Sequence, residues 1–331
     1  MSSRAAHGGA SVAYGTVLDS GYILRALALY YSFASHVRSG TFHFFCVDAA
    51  AAETLQQLHL ERAHIVAAED FVSERLEAAR VRLRVPEFCW SCKPLVVGNL
   101  LASQPTITWA VYLDADMAFF SDPVHVFPAD PRVFGLLTPH HFTADFKHWE
   151  SQIGTRNGGF AAFRRSPETL AVLDWWLHAC LARPDLHERR GETFDQKIFD
   201  QMGADHYGIQ DASDIGVNAA PWNIAGRRIV TEKGLSFVDG HALALYHFQG
   251  LKVLHPRLVD LYAASWKMPR SVKRSIYEPY VALLRRAQRQ LAAEAPDHLP
   301  SVDRFNKSPR ALAGALKEAL LGRRHFRLLR P

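Results

Sequence analysis

The segment Trp109-Ala-Val-Tyr-Leu-Asp114-Ala-Asp116 determines how the rest of the chain is interpreted. Residues 109–113 form a short apolar run bounded by polar residues, which predicts a buried strand. Asp114 and Asp116 follow at the end of that strand, where a buried carboxylate without a partner would be costly. Because residues i and i+2 of a strand point the same way, both carboxylates can face one hard divalent cation that also binds phosphate oxygens. The segment therefore predicts a Mg²⁺ or Mn²⁺ site; the alternative is an Asp pair that only caps the next turn.

Strands and helices alternate on both sides of this segment, which is typical of an α/β protein. The predicted strands are 12–18, 41–47, 64–67, 109–113, 133–137 and 159–163, followed by short strands at 207–210, 228–231, 235–238 and 243–248. The predicted helices are 22–35, 51–60, 87–102, 166–181 and 195–202. In such a sheet, ligands bind in the crevice outside the carboxyl ends of the strands, so Asp114 and Asp116 are expected in that crevice.

Composition limits the class of protein. Of the 331 residues 48% are hydrophobic, which is ample for a core, and no apolar run reaches the roughly 20 residues that cross a bilayer. The chain has four cysteines and does not start with a charged segment followed by an apolar one, which favours a reducing compartment. We therefore expect a cytoplasmic protein, either soluble or peripheral at the inner face of the membrane. Residues 1–10 are small and polar, and are predicted to be a disordered lead-in.

The positive charge is concentrated at the C-terminal end. Residues 269–331 contain 14 Lys and Arg against 5 Asp and Glu, a balance of +9, whereas the whole chain carries +5. We expect residues 266–331 to be a basic helical extension of a domain at 11–265. Its helices, near 277–293 and 308–321, have apolar stripes flanked by basic residues, and could lie on an anionic membrane or pack on the domain. No aromatic residues interleave with the arginines in stacking fashion, so no nucleic-acid partner is expected.

A later segment carries residues suited to the same chemistry. His247 ends an apolar strand and can supply an imidazole to the cation. The Gly250 backbone and the Lys252 ammonium can hold phosphate oxygens. A histidine at a strand end is more often a satisfied structural group, so the prediction for His247 depends on its pairing with Asp114 and Asp116.

Three other segments have both a functional and a structural interpretation. Cys89-Trp-Ser-Cys92 has the spacing of a redox dithiol, but its position within a long α/β chain favours packed helix cysteines, with Lys93 the residue of interest. Asp195 can place a carboxylate in a cleft or only compensate the charge of a helix N-terminus. Trp222, in Pro-Trp-Asn, either lines a site or belongs to the core.

Taken together, residues 12–255 resemble the GT-A nucleotide-sugar glycosyltransferases, closest to the retaining glycogenin and lipooligosaccharide galactosyltransferase family. Tyr-Leu-Asp-Ala-Asp and His-Phe-Gln-Gly-Leu-Lys are the most specific segments of the resemblance. Together with Cys-Trp-x-Cys-x-Pro and Ala-Pro-Trp-Asn, the second is more similar to bacterial surface-polysaccharide transferases than to glycogenin. The chain departs from the family at Val253-Leu-His-Pro256, where members often continue with Lys-Pro-Trp, so the resemblance leaves the acceptor side and the sugar undefined.

The resemblance implies a GT-A mixed sheet with helices on both faces, Mn²⁺ (or Mg²⁺), and a UDP-hexose donor whose sugar passes to a hydroxyl of a glycan or glycolipid acceptor. It implies Asp114, Asp116 and His247 as the metal ligands, with Asp114 also near the ribose. Asp195, Gln196 and Lys93 are implied as the catalytic residues, with Asp195 and Gln196 beside the anomeric centre and Lys93 reaching the donor sugar and phosphate. The other residues that we expect to bind the donor are Thr16, Leu18, Asp19, Tyr22, Asn157, Gly159, Trp222, Gly250 and Lys252.

The implied reaction is sugar transfer with departure of a nucleoside diphosphate. Retention follows if the acceptor hydroxyl attacks from the face of the leaving group, whereas an inverting reaction would use Asp195 as the base. Two other functions compete with transfer. A nucleotidyltransferase would need a Gly-rich first loop with basic residues for a triphosphate, which residues 14–19 lack. A non-catalytic nucleotide-sugar binding protein would not need the groups that stabilise a leaving phosphate.

Overall fold

The computed structural model of the protein describes residues 11–182, 196–262, 266–298, 302–303 and 309–329. Its strands are β1 (Val12–Leu18), β2 (Thr41–Cys46), β3 (Ala63–Val66), β4 (Trp109–Leu113), β5 (Met117–Phe119), β6 (Gly135–Pro139), β7 (Arg156–Arg164), β8 (Ile209–Asp211), β9 (Ile229–Glu232), β10 (Leu235–Val238), β11 (His241–Ala242), β12 (Leu245–His247), β13 (Lys252–His255), β14 (Leu258–Asp260) and β15 (Phe326–Leu328). Its helices are α1 (Ile23–His36), α2 (Ala49–Gln56), α3 (Ala68–Phe71), α4 (Glu74–Ala79), α5 (Val85–Ser103), α6 (Glu150–Ile153), α7 (Pro167–Leu181), α8 (Gln196–Asp205), α9 (Pro221–Ile224), α10 (Arg270–Val272), α11 (Glu278–Glu294) and α12 (Pro309–Leu320).

The central sheet is mixed and has seven strands in the order β3-β2-β1-β4-β7-β6-β8. β1 is parallel to both of its neighbours, β2 and β4, whereas β7 is antiparallel to β4 and β6. The chain first builds outward from β1 to β2 and β3 and then returns to the other side of β1 for β4. The strand order therefore reverses between β1 and β4, which is the position where open α/β sheets bind ligands.

Helices cover both faces of this sheet, as predicted. Trp109, Val111 and Leu113 of β4 belong to the core cluster that contains α1 and α11, whereas Ala110 and Tyr112 belong to the cluster of α5, α7 and α8. Because successive residues of a strand point to opposite faces, a strand that is buried on both sides needs an uninterrupted apolar run. This is why 109–113 shows no alternation of polar and apolar residues.

Most predicted elements agree with the structure to within a few residues, and α7 begins at Pro167 with the Ser166 side chain accepting from the Thr169 N–H. The sequence did not predict β5, which has three residues and pairs antiparallel with β12. It also did not predict the sheet of β13, β14 and β15. β5, β14 and β15 have three residues each, which is too few to show a period, and their pairing in the fold identifies them.

The two basic helices of the C-terminal part differ in what covers their apolar stripes. In α11, Val281, Leu284 and Leu291 are buried in the core cluster that also contains α1. In α12, the side chains of Leu316 and Leu320 are 62% and 81% exposed. None of the helices that the structure describes is long and apolar enough to cross a membrane.

Two sequence predictions lie outside the described residues, namely the lead-in at 1–10 and the position of Asp195. Gln196 is the first residue of α8. Cys89 and Cys92 both lie in α5 as free thiols. Burial raises the pKa of Cys89 to about 12 and that of Cys92 well above its ordinary value, which disfavours the thiolate that redox chemistry requires.

Candidate active site

The carboxylates of the central segment lie where the strand order reverses. The Asp114 N–H donates to the Gly159 carbonyl of the neighbouring strand β7, with 2.9 Å between nitrogen and oxygen. A turn then follows, in which the Met117 N–H donates to the Asp114 carbonyl, before β5 begins. The side chains of Asp114 and Asp116 are 26% and 21% exposed, so the turn presents both carboxylates at the surface of the crevice.

β12 brings His247 beside these carboxylates. His247 pairs with Met117 across the β5–β12 ladder, and the Phe248 N–H donates to the Asp116 carbonyl at 2.8 Å. The His247 Nε2 atom lies 3.1 Å from Asp116 Oδ1 and 3.9 Å from Asp114 Oδ2. One ligand atom from each of the three predicted metal ligands lies within 4.8 Å of the others. The pairing of two short strands therefore joins ligands that are far apart in the sequence.

The protonation of this cluster shows its electrostatic character. Burial lowers the pKa of His247, but the carboxylates of Asp116 and Asp114 outweigh burial and hold the pKa above its ordinary value. Burial raises the pKa of Asp116, but His247 outweighs this and holds it below its ordinary value. The cluster thus favours a positive charge at His247 Nε2. Carboxylate oxygens together with an imidazole nitrogen fit Mn²⁺ or Mg²⁺, either of which would take the place of that proton.

Lys93 reaches the cluster from α5. Its Nζ atom lies 3.2 Å from Asp114 Oδ1 and donates to the Gly158 carbonyl at 3.0 Å. The Tyr112 hydroxyl donates to the same Asp114 oxygen at 2.8 Å. The Lys93 side chain is only 1% exposed and does not line the cavity described below. Two hydrogen-bond donors, Lys93 and Tyr112, therefore orient Asp114. Lys93, which was predicted to bind the nucleotide sugar, contacts a carboxylate in this arrangement.

Asn157 and Gly159, which were predicted to bind the donor, lie near the Nδ1 side of His247. The Gly159 N–H donates to Asn157 Oδ1 at 2.8 Å, and a Cβ atom on Gly159 would lie 2.6 Å from His247 Nδ1. Any other residue at position 159 would therefore displace the imidazole. Asn157 in turn contacts Asn218, whose Oδ1 atom lies 3.2 Å from His247 Nδ1.

A cavity of about 250 Å³ opens beside the cluster. Its polar lining includes Asp19, Asp114, Asp116, Asn157 and His247, and Leu18, Tyr22 and Trp222 also line it. An apolar part of the wall is formed by Val85, Pro86, Cys89, Trp90, Phe142 and Ile153. A mostly apolar cavity with a few convergent polar groups is the usual form of a small-molecule site.

Several buried side-chain polar atoms have no hydrogen-bond partner within the described part of the chain. They include Asp19 Oδ1 and Trp222 Nε1, which belong to cavity-lining residues, and Thr16 Oγ1 in β1. Burial and the nearby Asp48 carboxylate raise the pKa of Asp19. Buried polar atoms are nearly always paired in native proteins, so a bound ligand is a natural partner for the two at the cavity.

Gly250 and Lys252, the predicted diphosphate-binding residues, do not line this cavity. Gly250 has a φ of +86°, and a Cβ atom on it would lie 2.8 Å from the ring of Tyr262. The Lys252 ammonium lies 3.9 Å from Asp303 Oδ1, in the C-terminal part of the chain. Asp303 also pairs with the buried Arg25. The glycine is thus explained by packing, and the lysine rests against a carboxylate.

Sequence reasoning missed several residues of the site. Phe142 and His140 follow β6, whose carboxyl end shares an edge with that of β4, so the end of a predicted strand was an available signal. Asn218 lies just before the Pro-Trp-Asn segment that was singled out, but nothing local distinguishes it. Arg25 and Asp303 gave no signal, because each is an ordinary charged residue until the fold pairs them.

Comparison with known proteins supports the fold. No protein-family model matches it. The uncharacterized protein YfnD of Bacillus subtilis (strain 168) is 23% identical over 286 residues, which cover 86% of this chain and 92% of that protein. The uncharacterized protein YfnF of the same organism is 26% identical over 249 residues, which cover 73% and 82%.

One solved structure is informative. The galactosyltransferase LgtC, in complex with donor and acceptor sugar analogs, matches with a TM-score of 0.52 at 12% identity, and the match covers 82% of this chain and 95% of that one. At this identity the likeness concerns the fold. The chain therefore has a GT-A glycosyltransferase fold, and the fold predicted from the sequence is confirmed.

Proposed function

We propose that the protein is a metal-dependent glycosyltransferase that moves a hexose from a nucleoside diphosphate sugar, UDP-hexose in the simplest case, to a hydroxyl of a glycan or glycolipid acceptor. The observation that carries the proposal is the convergence of Asp114, Asp116 and His247 beside a cavity, at the point of a GT-A sheet where the strand order reverses. A purely structural Asp pair would not need an imidazole from another sheet.

The proposed roles follow from the positions of the side chains. Asp114, Asp116 and His247 would hold Mn²⁺ or Mg²⁺, which stabilises the negative charge that develops on the leaving diphosphate. Lys93 and Tyr112 fix the orientation of Asp114 through their contacts with Oδ1. The remaining proposed donor-binding residues fall into two groups. Leu18, Asp19, Tyr22, Asn157 and Trp222 line the cavity, whereas Thr16, Gly159, Gly250 and Lys252 do not.

We assign acceptor binding to the apolar part of the cavity wall. Trp90 and Phe142 offer aromatic faces there, and Val85 is 53% exposed at the start of α5. Aromatic rings give contact area to the apolar faces of sugar rings, while the cluster of Asp114, Asp116 and His247 takes the charged donor. This division supports a neutral glycan or glycolipid as the acceptor.

Donor hydrolysis tests this proposal without knowledge of the acceptor. The purified protein is incubated with Mn²⁺ and a panel of UDP- and GDP-sugars, and release of the nucleoside diphosphate is measured. We expect Mn²⁺-dependent release from a UDP-hexose that stops when the metal is chelated. Asp130→Asn changes an exposed carboxylate outside the site and serves as the control, because it should release the nucleoside diphosphate as the unaltered protein does. Absence of release from every donor in the panel would contradict the proposed activity.

We propose that the transfer retains the anomeric configuration of the donor. In this reaction the acceptor hydroxyl attacks from the face of the leaving group and passes its proton to a phosphate oxygen, with Asp195 and Gln196 beside the anomeric centre. Nuclear magnetic resonance of the first-formed product measures its configuration directly. An inverted anomer would replace this mechanism by one in which Asp195 is the base.

We also propose that α12 contacts an anionic membrane surface at the cytoplasmic face. Leu316, Leu320 and Leu321 are exposed in or next to this helix, with Lys317 and Arg323 beside them, whereas the stripe of α11 is buried. Vesicle co-sedimentation tests this with Leu316→Gln/Leu320→Gln, because deletion of the C-terminal residues would also remove β15 and Asp303. We expect the variant to bind anionic vesicles more weakly than the unaltered chain. Equal binding by both chains, or binding by neither, would contradict membrane contact.

A further inference from the structure

Asn218, which was not predicted from the sequence as a site residue, combines a buried side chain with an unusual backbone conformation. Its side chain is only 1% exposed, and its φ of +63° lies in the left-handed region, which Asn adopts more readily than most residues. The next residue, Ala219, accepts from the His247 N–H at 2.7 Å, and its own N–H donates to the Leu245 carbonyl at 3.0 Å. The backbone of this loop is therefore tied to the strand that carries His247.

A chain of hydrogen bonds fixes which atom of Asn218 faces the imidazole. The Gly159 backbone N–H can only donate, so the Asn157 atom that it contacts at 2.8 Å is the oxygen. The Asn218 amide nitrogen donates to that same oxygen at 2.8 Å and to Thr138 Oγ1 at 2.7 Å. The remaining Asn218 atom, Oδ1, therefore faces His247 Nδ1 at 3.2 Å.

The consequence concerns the proton on the imidazole. An amide oxygen only accepts, so His247 Nδ1 must carry a hydrogen in order to bond to it. The other nitrogen, Nε2, lies 3.1 Å from Asp116 Oδ1, which also only accepts, so each ring nitrogen faces an acceptor when no cation is bound. When a cation takes the place of the hydrogen on Nε2, the hydrogen that remains on the ring is the one on Nδ1. The orientation of the ring and its tautomer are both set from the side that faces away from the carboxylates.

We propose that Asn218 is a positioning residue that holds His247 as the Nδ1–H tautomer, with Nε2 directed at the cation. This inference rests on the proposed function only in assigning a metal to the cluster. Position 218 has to meet two requirements at once, a left-handed backbone and an acceptor side chain. Glycine meets the first requirement alone, aspartate meets both, and alanine meets neither.

Two variants and a control separate these requirements. Asn218→Gly keeps the backbone conformation and removes the acceptor, whereas Asn218→Asp keeps both but lacks the amide hydrogens that Asn218 donates to Asn157 and Thr138. Thr138→Val is the control. It removes a hydrogen-bond partner of Asn218 that does not contact His247, and Asn218 remains bonded to Asn157. Thermal unfolding establishes that each variant is folded before it is compared.

The first readout is the imidazole itself in the metal-free protein. Nitrogen-15 resonances of labelled histidine rings are recorded at alkaline pH, where the rings are neutral, and His247→Gln identifies the signals of His247. Because Asp116 competes for the same proton from the Nε2 side, the readout is the fraction of each tautomer. We expect a larger fraction of the Nδ1–H tautomer in the unaltered protein, in Thr138→Val and in Asn218→Asp than in Asn218→Gly. The same fraction in the unaltered protein and in Asn218→Gly would overturn the proposal.

The second readout is the affinity for Mn²⁺ alone, measured by calorimetry. Loss of an outer-shell partner of a metal-bound histidine costs about 10- to 100-fold in affinity, so we expect a decrease of that size in Asn218→Gly and much less in Thr138→Val. A loss in Asn218→Gly no larger than that in Thr138→Val would show that the acceptor is not what matters, and would overturn the proposal. If the unaltered protein bound no Mn²⁺, the proposed metal site would fail, while the tautomer would still decide the role of Asn218.

Discussion

Two groups of charged side chains near the cavity differ in how their charges are matched. The metal-ligand cluster contains Asp114, Asp116 and His247, whose ligand atoms converge on one point. The Asp303 clasp contains one carboxylate between two cations, Arg25 and Lys252. Asp303 also accepts from the Val253 N–H at 2.6 Å. The carboxylates of the metal-ligand cluster can therefore bind an added cation, whereas Asp303 already pairs with two cations of the chain itself.

Tyr22 lies within the influence of both groups. Burial and the carboxylates of Asp116, Asp303 and Asp114 raise its pKa to about 12, against the opposing effect of Arg25. The two groups are therefore neighbours that differ in role. A carboxylate that closes its own ion pairs stabilises the fold, whereas carboxylates that share one histidine form a binding site. The predictions below test this distinction, from the largest expected effect to the smallest.

We expect Asp303→Ala to have the largest effect, on stability. It leaves Arg25, whose side chain is only 5% exposed, without its carboxylate, and loss of one partner of a buried pair costs about 3–5 kcal/mol. Chemical denaturation measures the free energy of unfolding. Lys252→Ala is the matched control, because that partner is 44% exposed and its removal should cost less than about 1 kcal/mol. Equal, small losses in both variants would mean that Asp303 does not act as a clasp.

The second prediction concerns the metal-ligand cluster, where loss of a side chain should weaken binding of the metal and the nucleotide. Asp116→Ala and His247→Ala should each lower the Mn²⁺-dependent affinity for UDP by more than the roughly 100-fold that loss of an outer-shell partner can cost, while the protein stays folded. Asp303→Ala should retain its affinity for Mn²⁺ alone under conditions in which it is folded. Calorimetry with and without Mn²⁺ measures both quantities. Unchanged Mn²⁺–UDP affinity in His247→Ala would remove that residue from the metal site.

The third prediction uses a buried histidine in a different environment. Burial and the adjacent His64 lower the pKa of His43 from its ordinary value to about 3, whereas carboxylates raise that of His247. Neutral His43 is therefore favoured by the fold, and its contribution to stability is present above pH 6.5 and is lost as the pH falls toward 3. The loss is about 1.4 kcal/mol per pH unit, or about 2 kcal/mol between pH 6.5 and 5.

Unfolding experiments at these two pH values measure that loss, with His43→Gln as the comparison. The His43 ring contacts Thr41 Oγ1 at 3.0 Å and the Gln104 side chain at 2.7 Å, so a polar replacement keeps part of this environment. The variant should lose less stability than the unaltered protein over the same range. Parallel curves for the two proteins would show that His43 does not remain neutral, and that burial alone does not distinguish it from His247.

The smallest effect is expected for donor binding by Lys252→Ala. The Lys252 ammonium is 44% exposed and lies 3.9 Å from Asp303, so its attraction to a diphosphate is screened and shared. We expect the affinity for Mn²⁺–UDP to fall by less than about tenfold, with a difference that narrows as salt is added. Calorimetry at low and high ionic strength measures this. A salt-independent loss of 100-fold would instead place Lys252 in direct, desolvated contact with the phosphate.

The comparison with the sequence shows which kinds of information are local. β1 was predicted with its exact bounds because seven consecutive apolar or small residues form a strand that is buried along its whole length. The two carboxylates after β4 were interpretable because strand geometry alone gives them a common direction. The stripe of α11, by contrast, looked the same as that of α12. Only packing showed that Leu284 and Leu291 of α11 are buried, whereas in α12 Ala315 is buried and Leu316 is exposed.

The sequence by itself thus determined the α/β class, the GT-A resemblance, and a set of candidate ligands in which His247 was joined to the carboxylates by that resemblance. Only the tertiary structure decided which distant residues meet. Arg25 and Asp303 are 278 positions apart, and Asn218 faces His247 through a loop that has no period of its own. Local patterns arise from interactions between near neighbours in the chain, so they can be read from a short segment. The partner of a charged or amide side chain depends instead on the path of the whole backbone, because it is set by where burial brings two segments together.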